Sequence, residues 1–125
     1  MSRPRSRVAS AEWLAGAAAG DPAVLQPALG PAADNIDESG LDVRTHALVR
    51  LAGLVAAGDS AETVFDQRVT AALDHGVTLD EIAGVLIALL PTLGTARITA
   101  AAAAVLGAMS RVTAGPPAEP EPEHG

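Results

Sequence analysis

Asp42, His46 and Arg50 are spaced by four, so a helix through them would carry all three on one face. Imidazole is the side chain whose ordinary titration lies nearest neutral pH, which makes His46 a candidate general acid or base in a cleft. The alternative for His46 is a helix-surface or interface histidine with a partner on its own helix. Further along, "LLPTLGTARITAAAA" holds Arg97, the one charged residue between Ile82 and Met109. A guanidinium cannot shed its charge, so folding it into such a segment requires a partner, a ligand or a route to water. As a ligand residue it would meet an anion in bidentate fashion, aided by backbone amides at a helix start. As a structural residue it would pair with an aspartate or glutamate across a subunit boundary.

Composition narrows the chemistry around these residues. The chain has 125 residues, 49% hydrophobic but only 2% aromatic, which suits one domain whose core is built from close helix contacts. Its formal charge is -7, and all eight basic residues are arginine. An acidic surface of this kind argues against nucleic acid as a partner, because a phosphate backbone needs a basic face. Without lysine there is no Schiff-base chemistry, and without cysteine no disulfide, thiolate nucleophile or cysteine-ligated metal. No cofactor and no metal ion are expected.

The elements that must position the candidates read as helices throughout. Asp42 can cap a helix carrying Leu48, Leu51, Leu54 and Val55, which Gly58 closes. Ser60 can cap a second, with Phe65, Val69, Ala72 and Leu73 as its apolar stripe and Gly76 as its stop. His75, in that last turn, suits the helix dipole. In "HGVTLDEIAGVLIALL", Thr78 and Glu81 form a capping box and Val77 and Ile82 a hydrophobic staple. That helix is apolar nearly all round, the sign of burial on several sides, until Pro91 ends or kinks it. A last helix opens at Thr92 or Gly94 and runs to about Ser110. Upstream, "SAEWLAGAAAG" and "PAVLQPALG" make two shorter pieces.

Residues 1–8 read as a flexible start, 9–112 as one helical domain, and 113–125 as a disordered proline and glutamate tail in which His124 is solvated. Glu12 interrupts the alanine-rich run behind the N-terminal arginines, so the expectation is a cytoplasmic protein rather than an exported one. Pro91, Gly94 and Arg97 break the long apolar segment, and neither half reaches about 18 apolar residues. A hairpin buried in protein, with no membrane partner, is the expectation.

Two strings, "GLDVRTHALVRLAGLVAAG" and "VTAALDHGVTLDEIAGVLIALLPTLGTAR", together resemble the carboxymuconolactone decarboxylase-like family, of the alkylhydroperoxidase-D-like fold. The likeness runs from about residue 35 to residue 109. It implies an all-α bundle with a buried C-terminal helical hairpin, assembling with itself as a trimer or hexamer, its largest interface at that hairpin, with sites in clefts between helices and subunits. Members of the peroxidase branch carry a Cys-x-x-Cys pair, a following histidine and a glutamate on the preceding helix. Matched to this chain, those positions fall on Ala61, Val64, Arg68 and Ala47. A thiol peroxidase needs a thiolate, so that activity is excluded. The decarboxylase branch has no obligatory cysteine, but usually shows a histidine where this chain has Arg68, and an aromatic with a small-residue turn where it has "PTLGTAR". Arg68, at the position of the family's functional histidine, thereby joins Arg97 as a candidate ligand-binding residue, able to hold a carboxylate or steady an enolate-like charge. An ion pair with Glu62, with Asp66 of a neighbouring subunit or with another surface acid is its plainer role. The implied function is binding of a small anionic metabolite, a carboxylate or lactone, in such a cleft, with decarboxylase-type lyase chemistry open. The alternative is a non-catalytic oligomeric binding or scaffold protein of the same fold.

Overall fold

The computed structural model describes residues 7–29, 35–58 and 62–114. Seven helices follow in order: α1 (Arg7–Ala18), α2 (Pro22–Leu29), α3 (Ile36–Ser39), α4 (Val43–Ala57), α5 (Glu62–Asp74), α6 (Leu79–Leu93) and α7 (Thr95–Ala114). No strand occurs among the described residues, and none of their helices is long and apolar enough to cross a membrane. The expected Ser60 cap, His124 and residues 115–125 of the tail lie outside the described residues.

By internal packing the chain divides within α4, after His46, into two units. In the first, α1 packs on α2 closely enough that a Cβ at Gly16 would lie 2.5 Å from Val24 Cγ2. Asp21 starts α2 by accepting from the Ala23 amide at 3.0 Å. Asp42 caps α4 as expected, its Oδ1 accepting from Thr45 N at 2.8 Å and its Oδ2 from Thr45 Oγ1 at 3.0 Å. These two bonds, the amide first, hold the Asp42 carboxyl below its usual range.

The second unit holds the core. Leu51 and Val55 of α4, Phe65, Val69 and Ala72 of α5, Ile82 and Leu86 of α6, and Ala101, Val105 and Ala108 of α7 are all buried. The expected stripe of α5 is therefore the inward one, and α7 packs against both α5 and α6. The end of α5 is a Schellman turn: Gly76, at φ +83°, donates to the Leu73 carbonyl and Val77 to that of Ala72. Thr78 then opens α6 with both capping-box bonds, Glu81 N to Thr78 Oγ1 at 3.1 Å and Thr78 N to Glu81 Oε1 at 2.9 Å. Val77 and Ile82 are both buried, as a staple requires.

Three boundaries differ from the sequence reading. α6 continues through Pro91 to Leu93, because the ring so near the helix end removes only the bond to the Ile87 carbonyl. Gly94, at φ +85°, is the stop, donating to Leu90 and accepting from Ile98 as α7 begins. α7 runs four residues past Ser110, and α1 begins at Arg7, inside the stretch expected to be flexible. Burial of α6 differs too: only Ile82 and Leu86 are buried, while Leu79, Ile87 and Leu90 are exposed by 50, 70 and 38%. Within one chain α6 is covered on one side.

Candidate functional site

A cleft of about 520 Å³ opens between the end of α4, the start of α5 and the length of α7. Leu54 and Val55 of α4 and Phe65 of α5 wall it, and Ala100, Ala103, Ala104 and Gly107 of α7 form a floor with little side chain. Among the described residues, the charged groups at its edge are Arg97, Arg111 and Glu62. Apolar walls with a few polar groups at the rim are the usual make-up of a small-molecule site, and this volume falls in the range such sites occupy.

Arg97 lies in the first turn of α7 and is exposed. Its Nη1 donates to the Ala56 carbonyl at 2.6 Å, one of the orphan carbonyls at the end of α4. Gly58 makes this possible. Its φ of +72° ends α4 in the left-handed region, and a Cβ there would stand 2.8 Å from both Cζ and Nη1 of Arg97. Within one chain, then, Arg97 combines a route to water with a backbone partner, and the acid across a subunit boundary is not needed to account for it.

Arg111 is bound differently. Its Nε and Nη2 donate to the two carboxylate oxygens of Asp66 at 2.7 and 2.9 Å, and its Nη1 lies 3.2 Å from Glu62 Oε1. This fork holds the Asp66 carboxyl below its ordinary range and raises the guanidinium in turn, hydrogen bonding being the largest cause in each. Sequence reasoning ended the last helix at Ser110 and missed Arg111. The available signal was an arginine one residue past that end, with Glu62 and Asp66 four apart on α5.

The other candidates do not line this cleft. Arg68 is half-buried on α5, and no partner is recorded for it among the described residues. His46 is buried in the first unit, its Nε2 2.8 Å from Asn35 Oδ1. Asn35 Nδ2 donates to the Ala28 carbonyl at 2.9 Å, so the amide turns its oxygen to His46, and Nε2 carries the proton. The Asp42 carboxylate, the expected neighbour of His46 on the helix face, is engaged by Thr45. Asn35, eleven residues away, is a partner of the imidazole instead. Among the described residues, the cleft has guanidinium groups and a carboxylate at its edge and no imidazole. Among the described residues, no three histidine, aspartate or glutamate side chains gather as a metal ion would need.

No curated protein and no solved structure matches the chain. The sequence model of the carboxymuconolactone decarboxylase family matches residues 22–106, a span that takes in the Asp42 cap, the Schellman turn, the capping box and most of the cleft. With more than half of the chain matched and every described element helical, the chain belongs to the carboxymuconolactone decarboxylase family.

Proposed function

We propose that the cleft binds a small carboxylate or lactone through Arg97 and that the protein has no thiol peroxidase activity. The observation that carries the reading is the contrast between the two arginines at the rim. Among the described residues, Arg111 has three contacts to two carboxylates, whereas Arg97 donates to a single carbonyl, which leaves most of its five N–H groups without a partner among those residues. Binding is favoured over catalysis, because among the described residues the one titratable acid lining the cleft is Glu62, and it stands beside Arg111. Ala47 and Val64, at two of the relay positions implied by the family, offer neither carboxylate nor thiol, and Arg68 offers a fixed charge in place of an imidazole.

Calorimetric titration with benzoate and with a small lactone tests the binding reading. Heat of binding in wild type that vanishes in Arg97→Ala is the expected result, and equal binding by both proteins would defeat it. Turnover of hydroperoxide with a dithiol donor, above a protein-free blank, would defeat the exclusion of peroxidase chemistry.

A second reading rests on α6. Leu79, Ile87 and Leu90, with Ala83, form one exposed apolar stripe, the surface a second copy of the chain would cover in a trimer or hexamer. In a scaffold protein of this kind the arginines would serve as caps and clamps alone. Light scattering during size exclusion checks self-association, and a monomer at micromolar concentration would defeat that part.

A further inference from the structure

We infer that the cleft selects a medium-chain monocarboxylate, and that Glu62 is the residue that turns away a second carboxylate; the inference rests on the binding reading above. Arg111 leans back along α7, so that a Cβ at Gly107 would lie 3.3 Å from its Nη1. From Arg97 to Gly107 is ten residues of helix, about 15 Å at the α-helical rise. Along that run the floor is alanine and the walls are Leu54, Val55 and Phe65, with no polar side chain of the described residues lining the cleft between its ends. A ligand that fills it has an extended apolar body.

Charge then fixes which way the ligand lies. At one end Arg97 stands between the C-terminus of α4 and the N-terminus of α7, whose dipoles offset one another, so that among the described residues the guanidinium charge remains. At the other end, one arginine faces two carboxylates, Asp66 and Glu62, a net charge of one negative unit. An anionic head therefore belongs at Arg97 and an uncharged end at the clamp. A dicarboxylate of the same length would set its second group beside Glu62, against like charge and with Arg111 already forked onto Asp66.

Titration of the full chain with decanoate, with the dicarboxylate sebacate and with acetate tests this. Decanoate is expected to bind about tenfold or more tightly than either of the others, a margin of one decade in Kd. Arg97→Gln should weaken decanoate by about the same factor. Glu62→Gln, in which Asp66 still holds Arg111, should raise the affinity for sebacate and narrow the gap to decanoate. Ala103→Leu, which fills the floor, should abolish decanoate binding and so exclude uptake by the exposed α6 stripe. Sebacate binding as tightly as decanoate would overturn the role of Glu62, and acetate doing so would overturn the chain-length argument, each leaving carboxylate binding intact. Failure of all three acids to bind would overturn the functional reading itself.

Discussion

The two faces of α7 have nearly the same composition and opposite surroundings. Val105 and Ala108 are 4% and 0% exposed, inside a cluster with Leu51, Val69 and Ile82. Ala103 and Gly107, on the same helix, line an open cleft. Small residues let a neighbour approach closely but do not bring one. On the first face the stripes of α5 and α6 close the space. On the second, Leu54, Val55 and Phe65 wall a space left open, with Gly58 and the two arginines at its edge.

Enlarging a residue on each face tests the contrast most strongly. Ala108→Leu places three extra carbons where no space remains, and should cost about 1–3 kcal/mol by overpacking. Ala103→Leu should stay within about 0.5 kcal/mol, as surface changes do. Chemical denaturation of both variants and wild type reads the difference. Equal, large costs would mean that the floor of the cleft is packed in the working protein, by another copy or another chain, and the contrast between faces would fall.

A smaller effect is expected at the Arg97 end of the cleft. Gly58→Ala forces an L side chain into the left-handed region, worth about 1–2 kcal/mol, and pushes its methyl against the Arg97 guanidinium. Arg97→Ala loses one hydrogen bond at an exposed site, and should cost about 1 kcal/mol or less. Because the methyl and the guanidinium compete for one place, the double variant should be more stable than the sum of the single costs requires. Thermal melts of the four proteins measure the coupling. A loss of about 3–5 kcal/mol on Arg97→Ala alone would instead mark a buried ion pair in an assembly.

How much of this was legible in the sequence follows the distance over which each feature acts. The Asp42 cap, the Gly76 turn and the Thr78–Glu81 box are bonds spanning three to five residues, and each is written in local residue types. The burial pattern of α5 was legible for the same reason, since its period is a property of one helix. The Arg111–Asp66 fork joins residues 45 apart and the Arg97–Ala56 bond residues 41 apart, and no local pattern encodes either. Arg97 looked buried because its neighbours in sequence are apolar, yet its exposure is decided by what stands opposite α7. The Asn35–His46 bond was equally out of reach, because the i, i+4 pattern pointed His46 at Asp42, whose carboxylate the nearer Thr45 engages.

The smallest expected effect concerns pH at the clamped end, where the open end has no counterpart. Arg111 holds the Asp66 carboxyl below its ordinary value of 3.8, hydrogen bonding being the main cause. A carboxyl lowered in the folded state contributes stability above its unfolded pKa, and loses it as pH falls through the lowered folded value. The clamp's contribution is therefore complete near neutral pH and fades below about the ordinary carboxylate range. Arg111→Gln removes the cause, so its melting midpoint should lie slightly under that of wild type at pH 7, with the gap shrinking as the pH is taken below 3.8. The Asp42 carboxyl is lowered as well, by its bonds to Thr45, but it is present in both proteins and cancels in the comparison. Arg97→Gln provides the matching control, because its bond is to a carbonyl that does not titrate, and its gap from wild type should hold across the same interval. A gap for Arg111→Gln that stays constant or widens on acidification would show that the fork contributes through packing of the guanidinium over Gly107 rather than through its charge. The difference between the two ends of the cleft would then lie in shape alone.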